Sequence, residues 1–143
     1  MDRINRLLEL DRKVRNLQFK RLYHLLEEEN IHPGQIPILH AIYEGRGCSQ
    51  RDIAQRLNIS TASVAASVKR LEKLEYVLKK TDENDLRYNS VELTEEGLRV
   101  AKRAREIYYS LLEKQLDGFS EELLDQLELA LTKMLDNFGT EHL

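Results

Sequence analysis

Lys69, Arg70 and Lys73 lie within five residues of one another, directly after a run of small side chains, Thr61-Ala62-Ser63-Val64-Ala65-Ala66. At about 100° per residue, a helix over 60–75 sends Val64, Val68 and Leu71 to one side. The opposite arc holds Ala62, Ala66, Lys69 and Lys73, with Ser63, Ala65 and Arg70 at its edges. Small side chains let a helix backbone approach base edges closely, and cations further along the same face reach phosphates. A helix covered by another helix would also expose no large residue there, so burial of this arc is the alternative. A second group sits further on, where Asp85 precedes Arg87 by two residues in a polar stretch. An arginine at such a turn can enter a narrow minor groove, where negative potential concentrates. The carboxylate would hold its guanidinium as a bidentate pair; an ordinary surface ion pair, worth little, is the competing reading.

The charge distribution points the same way. The chain of 143 residues carries a net −3, but residues 46–90 hold nine basic side chains against six acidic ones, a local +3, and the remainder is −6. A basic middle between acidic ends is an electrostatic footprint for phosphate, or else a solvated mixed-charge face. The length is that of one domain, able to bury roughly two-thirds of its unfolded surface. With 41% hydrophobic residues, 33% charged, six glycines and two prolines, it suits an ordered, helix-rich fold. Charges interrupt every apolar run at the N-terminus, and no stretch approaches the roughly 18 apolar residues of a membrane span. The single cysteine, Cys48, has no intrachain partner. Together these features predict a cytoplasmic protein without a membrane partner.

The elements that must position those cations are legible from periodicity. Residues 2–29 read as one helix, with Ile4, Leu7, Leu10, Val14, Leu17 and Leu22 at helical spacing and Phe19 and Tyr23 as a second apolar flank. Pro33-Gly34 punctuates it. Residues 35–44 form a short buried helix with Pro37 in its first turn, where a missing N–H costs little. Ser49 is the N-cap of a helix over 49–57, with Asp52 completing a capping box and Ile53, Ala54 and Leu57 inward. Asn58-Ile59 makes a tight turn, and Ser60 caps the helix TASVAASVKRLEKLEY. VLKKT and SVEL are strand-like around the polar DENDLRYN, which predicts a β-hairpin with a long tip. Thr94 caps the next helix, which carries Glu95, Glu96 and Gly97 in its first turn and runs to about Asp117-Gly118. A last helix starts from Ser120. The fold class is mainly α with a small β-hairpin wing: a winged helix-turn-helix plus a helical lobe. In that motif the second helix enters the major groove and the first crosses the backbone, which assigns backbone contacts to Ser49, Gln50 and Arg51.

From Ser49 to Gly97 the chain resembles the MarR family of regulators. The pieces are SQRDIAQRLNIS, VKRLEKLEYV and DENDLRYNSVELTEEG, the most specific being Asp85-Leu86-Arg87 followed by Leu93-Thr94 and Gly97. This is similar to the family's D-x-R wing leading into an L-T-x-x-G helix start, and the helix order agrees along the whole chain. The resemblance implies a sequence-specific DNA-binding regulator, a repressor by default, acting as a homodimer on double-stranded DNA with a pseudo-palindromic operator. It implies one MarR-like domain over 1–143, with 1–32 and 107–143 as dimerisation helices and 33–106 as the DNA-binding lobe. The family often has a polar pair, frequently with arginine, where this chain has Ala65 and Ala66; thymine-methyl contact by Ala66 is the natural substitute. A glycine common before the wing is Glu75 here, and lysines, Lys79 and Lys80, enter the wing in place of arginine.

By the same resemblance, Tyr108, Leu112, Leu116, Leu127, Leu131, Leu135 and Phe138 are interface candidates, against the alternative of a monomer with a helical cap. MarR-like proteins often bind a small, frequently aromatic effector, for which Tyr23, His40, Tyr43 and Tyr108 are candidate pocket liners, although packing aromatics have the same spacing. No metal and no cofactor is expected: His24, His32 and His40 are scattered, His142 is terminal, and no histidine falls in 94–117, where metal-sensing relatives keep ligands. Cys48 reads as a small buried filler before a redox centre, since peroxide-sensing relatives keep their reactive cysteine in the first helix. An enzyme is the rival class, but no G-x-S-x-G, phosphate-binding glycine loop, H-E-x-x-H or dinucleotide fingerprint is present. The second rival is a winged-helix protein–protein adaptor, whose corresponding surface would be apolar or acidic instead of carrying Lys69, Arg70, Lys73 and Arg87.

Overall fold

The computed structural model describes residues 2–45, 48–81, 84 and 89–139. In chain order its elements are α1 (Arg3–Leu25), α2 (Ile36–Gly45), β1 (Cys48–Ser49), α3 (Gln50–Leu57), α4 (Thr61–Lys73), β2 (Val77–Thr81), β3 (Asn89–Leu93), α5 (Glu95–Gln115) and α6 (Glu121–Phe138). The chain divides into two compact units, Met1–Leu111 and Leu112–Leu143.

In the first unit α2 turns Ile38, Leu39, Ala41 and Ile42 inward, α3 adds Ile53 and Ala54, and α4 adds Val64, Val68 and Leu71. Val77 and Val91 of the sheet and Val100, Ala104 and Ile107 of α5 close the same core. Burying each such aliphatic side chain contributes about 1.5–3 kcal/mol, so the sheet and four helices are held mainly by this cluster. The sheet is antiparallel in the order β1-β3-β2. Its hairpin register runs from Val77↔Leu93 to Thr81↔Asn89. The third strand, β1, pairs Cys48 with Val91 and Ser49 with Ser90. It is absent from the sequence reading because two residues are too few to show alternation.

Three helix ends in this unit close alike. Asn30, Asn58 and Glu75 sit at φ 55°, 51° and 61°. Around each, the next amide reaches five residues back: Ile31 N–H to Leu26 O, Ile59 N–H to Ala54 O, and Tyr76 N–H to Leu71 O. This is the Schellman closure, which needs a left-handed residue. It corrects two sequence expectations. The first helix ends at Leu25, and Glu27–Glu29 wind as a tighter 3₁₀ turn. The helix expected to run through Tyr76 stops at Lys73, with Leu74 as C-cap. Helix propensity alone does not reveal this, because Leu74, Glu75 and Tyr76 are ordinary helix residues; burial of Tyr76 and Val77 in the core decides it.

Of α1 itself only Leu22 is buried, while Ile4, Leu7, Leu8, Leu10, Val14 and Leu17 are exposed. In the second unit Gly118, at φ 79°, makes the turn. Ser120 caps α6 by accepting from Leu123 N–H at 3.2 Å. No side chain of α6 is buried; Leu131, Met134, Leu135 and Phe138 are all exposed.

Candidate nucleic-acid interface

The helix-turn-helix is built by its caps. The Ser49 hydroxyl accepts from Asp52 N–H at 3.1 Å, and the Asp52 carboxylate accepts from Ser49 N–H at 3.0 Å, the reciprocal box expected from the sequence. Asn58 in the left-handed region turns the chain sharply, and the Ser60 hydroxyl accepts from Ser63 N–H at 3.1 Å to start α4. Each such cap is worth about 1 kcal/mol, and together they set the angle between α3 and α4. With Val64, Val68 and Leu71 fully buried, the far side of α4 must face out. Thr61, Ala62, Ser63, Ala65, Ala66, Lys69, Arg70 and Lys73 are all exposed. The competing reading, a helix covered by another helix, does not describe this face.

The electrostatics narrow the footprint. Arg56 is turned back on α2, donating to Glu44 Oε2 at 2.9 Å and to the Ala41 carbonyl at 3.3 Å. Lys79 pairs with Glu72 at 3.4 Å and Lys80 with Glu92 at 2.7 Å. Lys69, Arg70 and Lys73 enter no ion pair among the described residues, so their charge is available to an outside anion. At the start of α3, Ser49 and Gln50 are half-buried and Arg51 is exposed. Asp85 and Arg87, the wing pair expected from the sequence, lie outside the described residues. The strands that lead to them, β2 and β3, pair as the antiparallel hairpin expected from the sequence.

The hinge between the reading helix and the wing is tightly constrained. Thr94 N–H donates to the Tyr76 carbonyl at 3.0 Å. The Thr94 hydroxyl donates to the Glu75 carbonyl at 2.6 Å and accepts from Gly97 N–H at 3.0 Å. A Cβ on Gly97 would meet the Tyr76 carbonyl oxygen at 1.8 Å, so only glycine fits. The L-T-x-x-G pattern therefore has a local cause: threonine ties the corner after α4, and glycine lets α5 pass against it.

The family model described as MarR family matches residues 29–87, which span α2 to the wing. The HTH-type transcriptional regulator BilQ of Clostridium symbiosum (strain WAL-14163) is 28% identical over 109 residues, 76% of this chain and 76% of that protein. Over this segment the chain is similar to the MarR family. The likeness in fold to solved structures extends over most of the chain. A MepR–DNA complex from S. aureus superposes with a TM-score of 0.79 at 24% identity, covering 90% of this chain and 94% of that one. PcaV from Streptomyces coelicolor, solved with its natural ligand, gives 0.77 at 22% identity over 95% and 96% of the two chains.

The candidate effector residues are more dispersed than those on the exposed face of α4. Tyr23, His40 and Tyr43 are exposed and Tyr108 is half-buried. Tyr23 makes edge contacts with His24 and His32, each at 6.2 Å between ring centroids, and Phe19 stacks edgewise on His32 at 5.4 Å. His32 and Phe19 were not candidates in the sequence reading. They arrive here because His32 caps the Pro33–Gln35 turn, accepting from Gly34 N–H at 3.1 Å, which folds the chain back on α1. His40 Nε2 lies 3.2 Å from Glu44 Oε1, one helical turn further along α2. Cys48 is buried beside Gly45, and burial pushes its thiol up from the ordinary range. Among the described helices, none is long and apolar enough to cross a membrane.

Proposed function

We propose that this protein is a DNA-binding transcriptional regulator that reads a pseudo-palindromic operator as a homodimer and represses until a small, aromatic effector releases it. The observation that carries DNA binding is the exposed face of α4, small from Thr61 to Ala66 and then cationic at Lys69, Arg70 and Lys73 with no internal carboxylate partner. In this reading Thr61, Ala62, Ser63, Ala65 and Ala66 approach base edges, the three cations and Ser49, Gln50 and Arg51 hold phosphates, and Asp85 and Arg87 form the minor-groove wing. The solved complex of MepR with DNA supports the partner, and PcaV with its natural ligand supports an effector. Tyr23, His40, Tyr43 and Tyr108 are the effector contacts we assign.

The bare apolar rows of α1 and α6 support self-association. An exposed row such as Leu131, Met134, Leu135 and Phe138 is costly in water unless a second copy covers it. A two-fold dimer of this kind sets its reading helices about 34–36 Å apart, one turn of DNA. A cytoplasmic location follows from that role.

The test is binding to an A·T-rich palindromic duplex at two salt concentrations. Lys69, Arg70, Lys73 and Arg51 of each protomer give about eight phosphate contacts per dimer, so affinity should fall about ten-thousandfold between 50 and 200 mM salt. Absence of any salt-dependent shift would refute DNA binding, and it is the result a protein–protein adaptor or an enzyme would give.

A further inference from the structure

Three side chains that no functional role has yet absorbed meet at the C-terminal end of α1. Glu29, in the 3₁₀ turn after that helix, is gripped from two sides. Arg99 of α5 forks onto its carboxylate, Nη1 to Oε1 at 3.2 Å and Nη2 to Oε2 at 2.8 Å. The Tyr76 hydroxyl donates to the Glu29 backbone carbonyl at 2.8 Å. Glu96 accepts from Arg99 Nε at 3.0 Å and completes the clamp. The Glu29 side chain is 16% exposed, unlike the open i,i+4 pairs along α1, such as Glu9–Lys13. The Arg99 guanidinium donates to the carboxylates of Glu96 and Glu29, and these bonds hold it protonated well above its ordinary range.

The partners come from informative places. Tyr76 is the residue immediately after the left-handed corner that ends the reading helix, and its own carbonyl is tied to Thr94. Arg99 lies two residues beyond Gly97, whose backbone presses on that same carbonyl. Glu29 is thus fastened to the corner where α4, the wing strand and α5 meet. Beyond Leu22, α1 buries nothing within its own unit. Its direction is set at this end. A helix of 23 residues is about 35 Å long, so a tilt of about 5° at the joint moves its far end by about 3 Å. That is one base-pair step of duplex DNA, about 3.4 Å.

We infer that Glu29, Arg99 and Tyr76 are positioning residues that lock α1 to the reading head and thereby set the half-site spacing the dimer accepts. The inference rests on the proposed role of the protein as a dimeric DNA binder. The bidentate geometry suits it, because a guanidinium fork on a carboxylate restrains angle as well as distance, which a lysine would not.

The experiment uses the full chain. A half-site is first selected by the wild-type protein from a random pool of duplexes about 30 base pairs long. It is then placed in a series of synthetic duplexes whose two copies are moved together or apart one base pair at a time. Wild type should prefer one spacing by about tenfold over its neighbours, equivalent to about 1.4 kcal/mol. Arg99→Ala and Tyr76→Phe should each reduce that preference to less than about threefold, while sedimentation still shows a dimer. The charge-reversed pair Glu29→Arg with Arg99→Glu should recover a sharp optimum, and Arg99→Lys should not. Unaltered spacing preference in Arg99→Ala and Tyr76→Phe, or failure of the reversed pair to restore it when both single reversals fold, overturns the inference. A wild-type protein that binds the half-site with no spacing preference also overturns it and leaves DNA binding standing. A wild-type protein that selects no duplex at all overturns both.

Discussion

Replacing Gly97 by alanine tests the hinge most directly. The added methyl would lie 1.8 Å from the Tyr76 carbonyl oxygen and 2.7 Å from its carbon, both backbone atoms that no rotamer change can move. Restoring an ordinary contact of about 3.4 Å requires the N-terminus of α5 and the α4–β2 corner to separate by about 1.5 Å. Thr94 spans that gap with bonds of 3.0 Å to the Tyr76 carbonyl and 2.6 Å to the Glu75 carbonyl, and neither survives such a shift. Two lost hydrogen bonds at about 1 kcal/mol each, with about 1–3 kcal/mol for overpacking, give a destabilisation of about 3–5 kcal/mol. For a chain of this size that is a fall of about 10–15 °C in melting temperature. The measurement is thermal unfolding by circular dichroism at fixed protein concentration, because a dimer's midpoint depends on concentration. Operator affinity measured well below the new midpoint should also fall, since the wing is no longer held at a fixed angle to α4. A Gly97→Ala protein that melts within about 3 °C of wild type would refute the steric reasoning.

The left-handed corner gives the opposite sign. Glu75→Gly removes a Cβ from a residue at φ 61° and should raise stability by about 0.5–1 kcal/mol, read as a higher urea midpoint with unchanged slope; a lower midpoint would contradict the assignment of strain there. Lys69→Ala and Lys73→Ala should each weaken binding to all duplexes alike and lower the salt slope by about one or two per dimer. A loss confined to one DNA sequence would instead place those side chains at bases. Because burial raises the Cys48 thiol above its ordinary value of 9.0, native protein should resist iodoacetamide at pH 8 and react only on unfolding in urea. The same shift has a stability consequence. The buried neutral thiol contributes stability that is fully present below the unfolded value and is lost as pH climbs through the folded one. Wild type should therefore lose more stability than Cys48→Ala on going from pH 8 to 10, and equal losses would show that the thiol ionises as freely in the fold as in the open chain.

Much of the reading head was written into local chemistry. Ser49 with Asp52, Ser60 with Ser63, and Thr94 with Gly97 are contacts across three residues, and their spacing in the chain is enough to place them. The inward row Val64, Val68 and Leu71 follows from a 3.6-residue period, and that row decides which face of α4 is left for DNA. Residues far apart in the chain carry no such signal. Nothing in the sequence marks the two-residue strand β1, since its only reason to be extended is Val91 and Ser90 alongside it. Nor does any local pattern stop α4 at Lys73; the chain turns there because Tyr76 and Val77 are drawn into a core assembled from α2, α3 and α5. The Glu29–Arg99 fork joins residues 70 positions apart, and Tyr76 reaches Glu29 across 47. Periodicity and capping act within a turn or two of backbone, so the sequence alone determined which helices form and which sides they bury. How the long N-terminal helix is fastened to the reading head was decided only by folding, because hydrophobic burial is non-directional and leaves that choice to the few polar groups that meet once the core has closed.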